Sequence, residues 1–349
     1  MEFFKNIYIV YIKMSKLNYE NSFIEVFAGC GGLSTGLIKA GFNPLLLVDN
    51  DTNCVETLKL NHSTEYTKIL KEDVTKLDLT EYKNKVHILA GGIPCQSWSL
   101  AGKRKGLDDK RGNLFFDFIK LIKECIPDIF LIENVYGLLI HNRGETFNYL
   151  IDLLSIDNQY EIKYQLLNSN DYDVPQKRKR IFIIGLKKDL NCKYSFPKSC
   201  KNKPTIKDAF YNIPKDFEYT QCNKYSDKKI EFFKKIPSGG CWVDLDEKDQ
   251  KDYLGNSYNS GGGKRGILRR LSFDEPSLTL LTSPSQKQTE RCHPSEIRPL
   301  NIREYARIQT FPDEYKFYGS ITSKYKQIGN AVPVNLAYHI GLSISNLEY

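Results

Sequence analysis

A chain of 349 residues has room for one large domain or two ordinary ones, and its 41% hydrophobic and 26% charged content fits a folded globular protein rather than a disordered one. No apolar run approaches the roughly 18 residues that a membrane span needs, and the short stretch IYIVYI at 7–12 has no small-residue cleavage site after it, so a cytoplasmic chain without membrane association is expected. The net charge of +8 permits a polyanionic partner. The excess is uneven: residues 187–298 hold 22 Lys and Arg against 15 Asp and Glu, which is +7 of the +8. The nine cysteines are odd in number and include no CxxC pair, which suggests reduced thiols rather than a disulfide framework. Cys192, Cys200, Cys222, Cys241 and Cys292-His293 match no zinc spacing, so no metal is expected.

Residues 23–186 alternate strand-like and helix-like patterns. Phe23 to Phe27 reads as a buried strand followed by a glycine-rich loop. Leu33 to Ala40 reads as a helix closed by Gly41. Pro44 to Val48 is a second strand ending at Asp49, and Asp51 can cap a helix running to about Leu60. Val86 to Ala90, Asp128 to Ile132, Ile162 to Leu167 and Arg180 to Leu186 read as further strands. Leu114 to Cys125 and Glu145 to Ile156 read as helices. This alternation predicts a parallel, doubly wound α/β sheet. After Leu186 the pattern breaks into Pro, Gly and polar clusters, which predicts a second, smaller, loop-rich and mostly β domain. Residues 329–343 return to a helical apolar pattern. The expected division is an extension at 1–18 with an alternative start at Met14, a catalytic body at 19–190, a second domain at 191–319, and a helix at 320–349 that returns to the body.

Several short segments carry chemistry. FAGCGGLSTG, residues 27–36, is a glycine-rich turn between a strand and a helix, suited to close approach of a ligand. Asp49, at the end of the next strand, is placed to accept from ribose hydroxyls. The glycines do not follow G-x-G-x-x-G, which favours another adenosyl ligand over a dinucleotide. In GGIPCQSWS, residues 91–99, Cys95 lies on a polar loop after a strand, as an exposed nucleophile would. Glu133, in FLIENV at 130–135, ends a neighbouring strand and is a candidate acid or base. Arg178 and Arg180, in QKRKRIFIIGL, are candidates to hold a phosphate or a base oxygen. Lys103 and Arg104 sit on the long loop after Cys95. Lys264, Arg265, Arg269 and Arg270 follow the glycines 261–263, in a loop whose guanidinium groups are candidates to contact phosphate.

In order and spacing these segments resemble the cytosine-5 DNA methyltransferase family, over roughly residues 22–345. FAGCGG resembles its cofactor loop, KEDV at 71–74 its adenine-contacting motif, and GGIPCQSWS its catalytic Pro-Cys loop. RGNLFF resembles the helix that follows, ENV the Glu-Asn-Val motif and QKRKR the arginine motif. IREYARIQTFP at 302–312 and YKQIGNAVP at 325–333 resemble the last two motifs. Asp49 stands where the family usually has glutamate, and Asn50 where an aromatic often stacks. The resemblance implies a Rossmann-like domain that binds S-adenosylmethionine and releases S-adenosylhomocysteine. Its cofactor residues would be Phe27, Ala28, Gly29, Cys30, Gly31, Gly32, Leu33, Asp49, Asn50, Asp73, Val74, Gly91, Pro94, Leu114, Asn330 and Ala331. The second domain would read the target sequence, with Gln96 and Ser99 also at the DNA. It further implies that Cys95 adds to C6 of a flipped-out cytosine in duplex DNA, with Glu133 and Arg180 stabilising the charge that results and Arg178 close by. The chain would act as a monomer, as the modification enzyme of a restriction-modification system with a separate endonuclease. An oxidoreductase would explain the sheet and Asp49 but not Pro-Cys-Gln together with Glu-Asn-Val. A catalytically dead DNA-binding module would not need Cys95 and Glu133. A tRNA methyltransferase of the same family would carry a Cys-Phe-Thr motif, which the chain lacks.

Overall fold

The computed structural model describes residues 21–94, 114–213, 220–259 and 266–348. Its centre is a seven-stranded sheet. The strands are β1 (Ser22–Val26), β2 (Asn43–Asp49), β3 (Lys68–Lys71), β4 (Ile88–Gly92), β5 (Ile129–Val135), β6 (Tyr160–Asn168) and, after the two-residue β7 (Gln176–Lys177), β8 (Lys179–Lys187). Their spatial order is β3-β2-β1-β4-β5-β8-β6.

The expectation of an all-parallel sheet needs one correction. β8 runs antiparallel to both β5 and β6 and is inserted between them. A continuous apolar run such as Ile181 to Ile184 reports burial on both faces but not strand direction. β3, with its KILK sequence, escaped the pattern because it is a short, half-exposed edge strand.

Alternation along each strand divides the core in two. Ile24, Val26, Leu46, Val48, Leu89, Phe130, Ile132, Ile181 and Ile183 face helices α3 (Leu114–Cys125) and α4 (Glu145–Leu154). Phe23, Leu47, Ile88, Ala90, Ile129, Leu131, Phe182 and Ile184 face α1 (Gly32–Lys39) and α2 (Thr52–His62) on the other side. Each such side chain contributes about 1.5–3 kcal/mol by leaving water. Asp51 caps α2 as expected, accepting from the Asn53 and Cys54 amides.

Beyond the sheet, the expectation of a mostly β second region is overturned for the described residues. Between 200 and 299 they form a short helix at Ile206–Ala209, α5 (Asp227–Lys234), α6 (Glu247–Leu254) and a single two-residue strand, β9 (Ser277–Leu278), which pairs with β7. α5 and α6 start at Ser226 and Asp246, whose side chains cap the Lys229 and Asp249 amides. Tyr225, Phe232, Phe233, Ile236, Leu245, Leu254, Ile267, Leu268 and Cys292 form a small core of their own.

The chain then returns to the body through α7 (Ile302–Ile308), α8 (Ile321–Asn330) and α9 (Val334–Ser345). Residues 302–318, expected in the second domain, contact the body: Tyr315 Oη donates to the Cys30 carbonyl at 2.6 Å and Asn61 bonds both the amide and the carbonyl of Lys316. α9 packs beside α1, with Leu336 and Ile340 in the same core as Leu33 and Leu37. No helix among the described residues is long and apolar enough to cross a membrane.

Candidate active site

A cleft of about 810 Å³ opens at the carboxyl ends of β1, β2, β4 and β5. Parallel strands place their C-terminal ends, and the loops that leave them, on one edge of the sheet, where α/β enzymes bind ligands. One end of the cleft is formed by Phe27, Ala28, Gly29, Gly32, Leu33, Asp49, Asn50, Asp73, Val74 and Leu114. The Gly29 amide donates to Asp49 Oδ2 and the Asp51 amide to Asp49 Oδ1, both at 2.8 Å. These bonds fix the glycine loop to the end of β2, and a carboxylate has further lone pairs with which to accept from a ligand. Burial raises the Asp49 pKa against the lowering effect of these two amides. Asp73, at the rim, caps the turn at 74–76 through the Thr75 amide and hydroxyl, which hold its pKa below the usual range.

Three expected cofactor residues stand behind the wall rather than in it. Cys30 turns away, its Sγ donating to the Gln327 carbonyl at 3.3 Å. Gly31 has φ +81, and a Cβ there would come within 2.7 Å of both His62 and Tyr315. Gly91 is in the sheet, where a Cβ would lie 2.9 Å from the Phe118 ring. They shape the loop and the packing, and they do not line the cleft. Asn330 and Ala331 do line it, brought there by α8.

Glu25, absent from the expected site, is a buried carboxylate at the only polar position between Phe23 and Phe27, and it lines the cleft. It accepts a hydrogen bond from Ser34, and burial pushes its pKa up to about 8. Lys326 is absent from the expected site too. It lines the cleft and pairs with Asp51 at 3.2 Å. A carboxylate in the middle of an apolar strand was the available signal for Glu25. Lys326 lies within the YKQIGNAVP segment, where the resemblance singled out Asn330 and Ala331 instead.

At the other end of the cleft, the register of the sheet sets Gly92 beside Glu133. Glu133 Oε1 lies 2.9 Å from Arg180 Nε, and both side chains are largely buried. Asn134, next along β5, donates to the Ile93 carbonyl at 3.0 Å. The Glu-Asn pair therefore does two jobs: one side chain faces the cleft, and the other ties β5 to the residue just before Pro94. Pro94 lines the cleft. Cys95, Gln96, Ser99, Lys103 and Arg104 lie outside the described residues, as do Lys264 and Arg265.

The two arginines differ. Arg180 engages Glu133 inside the cleft. Arg178 is 2% exposed and donates to three backbone carbonyls, those of Leu280, Gly329 and Asn330. It ties the start of β8 to two distant segments, and like Arg180 it lines the cleft. Burial, then the nearby Arg180, lowers its pKa to about 9, so it stays protonated at neutral pH. Leu281, Thr282 and Thr289, from the segment after β9, also line the cleft. Arg269 and Arg270 do not line the cleft. Arg270 donates to the Pro294 and Ile236 carbonyls at 3.0 and 2.9 Å, contrary to the expectation of a side chain extended toward DNA. Arg269 is half-buried, 3.8 Å from Glu275.

A family model described as C-5 cytosine-specific DNA methylase matches residues 21–346. Over 334 residues the chain is 48% identical to the type II methyltransferase M.Sau96I of Staphylococcus aureus, covering 94% of this chain and 76% of that one. It is 46% identical over 329 residues to the type II methyltransferase M.Eco47II of Escherichia coli, covering 93% and 78%. Among solved structures, a DNA modification methyltransferase encoded within an E. coli prophage aligns with a TM-score of 0.68 at 26% identity, covering 93% of this chain and 98% of that one. The Entamoeba histolytica methyltransferase EhMeth shares the fold, with a TM-score of 0.65 at 15% identity and the same coverage. The matched span contains the glycine loop, the Glu133–Arg180 pair and the helices that return to the sheet, and the chain belongs to the C-5 cytosine-specific DNA methylase family.

Proposed function

We propose that the chain methylates C5 of a flipped-out cytosine within a specific duplex sequence, with S-adenosylmethionine as donor, as the modification enzyme of a restriction-modification system. The observation that carries the reading is the Glu133–Arg180 pair in the wall of a cleft whose register brings it beside the Pro94 end of β4. The other end of the cleft suits the donor. Phe27, Val74 and Leu114 offer apolar surface for a purine, Asp49 offers a carboxylate for ribose hydroxyls, and the volume is ample for a nucleoside. When bound, S-adenosylmethionine supplies an electrophilic methyl group on a sulfonium.

The chain's own residues supply the rest. Cytosine C5 is a weak nucleophile. Addition of the Cys95 thiolate to C6 breaks the 5,6 double bond and makes C5 enamine-like. Charge then develops toward N3 and O2. Glu133 holds a proton at N3, and the Arg180 guanidinium keeps Glu133 in place while offering donors to O2. After methylation a base removes the C5 proton, the double bond re-forms and the Cys95 thiolate leaves. The reaction requires the base to leave the stack. Leu281, Thr282 and Thr289 line the same cleft as Glu133, so we assign target recognition to the module at 220–299 that carries them.

A duplex in which 5-fluorocytosine replaces cytosine throughout tests this reading. Fluorine cannot leave C5 as a proton does, so with S-adenosylmethionine present the sulfur–C6 bond persists. A denaturation-resistant protein–DNA complex is expected from the native chain and not from Cys95→Ser. No such complex from the native chain overturns the mechanism.

A further inference from the structure

Away from the cleft, three side chains with metal-binding atoms meet at one place from distant parts of the sequence. Asp173 lies between β6 and β7, Cys200 in the extended segment that follows β8, and His339 on α9. His339 Nε2 is 2.9 Å from Asp173 Oδ2. Cys200 Sγ is 3.3 Å from the same oxygen and 3.6 Å from the same nitrogen. All three residues are partly exposed, so an ion has a way in. The frame around them is held in place: Asn335 Nδ2 donates to the Asp173 carbonyl at 3.0 Å, and the Cys200 amide donates to the Asp171 carbonyl at 2.8 Å.

Without an ion the three contacts are hydrogen bonds, and together they bring one oxygen, one nitrogen and one sulfur to a single point. Ligands at 2.0–2.3 Å from a tetrahedral zinc ion lie about 3.4–3.6 Å from one another. The two sulfur separations are close to that edge length. The third is a hydrogen-bond distance, and it would open by about half an ångström when an ion replaces the shared proton. One thiolate, one imidazole and one carboxylate together favour zinc over calcium or magnesium.

We propose that Asp173, Cys200 and His339 form a zinc-class metal site, with water as the fourth ligand. The ion clips the C-terminal helix α9 to the segment that leads from the sheet into the 220–299 module. It lies apart from the cleft and leaves the methyl-transfer chemistry to the residues there. Binding displaces the thiol proton, so affinity falls as the pH is lowered.

Cobalt(II) chloride titrated into the reduced, chelator-treated full chain tests the site spectroscopically. One equivalent is expected to give tetrahedral d–d bands together with a thiolate-to-cobalt charge-transfer band. Cys200→Ala should lose the charge-transfer band. His339→Ala and Asp173→Asn should each weaken binding by at least the about 10–100-fold seen when a ligand's supporting partner is removed. Zinc should raise the Tm of the native chain and not that of Cys200→Ala. Absence of the charge-transfer band in the native chain, or its survival undiminished in Cys200→Ala, overturns the assignment.

Discussion

The sheet edge and the 220–299 module handle charge in opposite ways. At the sheet edge, strand geometry delivers Asp49, Glu133 and Arg180 to one cleft, where each retains a face toward a ligand. In the module, charged groups are turned inward to hold irregular backbone. Arg270 binds two carbonyls, Arg291 binds those of Thr279 and Glu290, and Arg298 pairs with Glu296 and Glu304. Glu290, fully buried, accepts from Lys229, Tyr253 and the Leu268 amide. A region with little regular secondary structure must satisfy its buried carbonyls and amides with side chains. The basic excess of residues 187–298 is therefore in part a structural material rather than a DNA-facing surface.

This contrast can be broken or sharpened by mutation. The largest effect belongs to Cys95→Ser, which should abolish methyl transfer while S-adenosylmethionine binding persists, because a hydroxyl is far less ionised than a thiol at neutral pH. Calorimetric titration of the cofactor beside a transfer assay checks both halves. Glu133→Gln should lower single-turnover rates by about 10²–10⁴, the range for one acid–base group. An unchanged rate would remove Glu133 from the chemistry.

On the module side the expected effects are on stability. Glu290→Ala leaves the Leu268 amide and the Tyr253 hydroxyl without their acceptor and Lys229 with the Ser285 carbonyl but no counter-charge, and should cost about 3–5 kcal/mol, the usual loss when one member of a buried pair is removed, as read by urea unfolding. Arg270→Ala should cost about 1–3 kcal/mol through two abandoned carbonyls, whereas Arg269→Ala should leave stability nearly unchanged. If Arg270→Ala proves as stable as the native chain but binds DNA poorly, Arg270 faces DNA and the contrast fails.

A further expected effect is a pH dependence at the cleft floor. Burial raises the Glu25 pKa to about 8, well above that of the unfolded chain, so the folded state holds a proton that the unfolded state has released. The associated stability is complete below about pH 4.5 and declines as the pH rises toward 8. Glu25→Gln should flatten Tm between pH 5 and 8 relative to the native chain. Parallel Tm curves would show that Glu25 does not titrate in this window.

Legibility followed the same division. β1, β2, β4 and β5 were readable because apolar runs bounded by turn residues report buried strands, and α3 ends at Cys125 as expected. The order Gly-loop, Asp49, Pro-Cys, Glu-Asn fixed which strand ends meet, since a parallel sheet brings those ends together. Direction was not readable for β8, because a strand buried on both faces has the same pattern either way. Cys30 and Gly31 were misplaced because neighbouring residues of a tight turn face opposite sides of it. α5 and α6 had their caps, Ser226 and Asp246, in plain view, but their polar exposed faces hid the helical period. Arg178 and Arg180, two residues apart on one short motif, looked equivalent. Their difference depends on carbonyls about 100 and 150 residues further along the chain.

The account rests most heavily on where the methyl group goes. Incubation of the native chain with radiolabelled S-adenosylmethionine and mixed-sequence duplex DNA, followed by digestion to nucleosides and chromatography, reads that directly. The account predicts that the label elutes as 5-methylcytosine from the duplex and that Cys95→Ser transfers none. Label eluting as an N-methylated base, or appearing in tRNA offered in the same reaction rather than in the duplex, would contradict it.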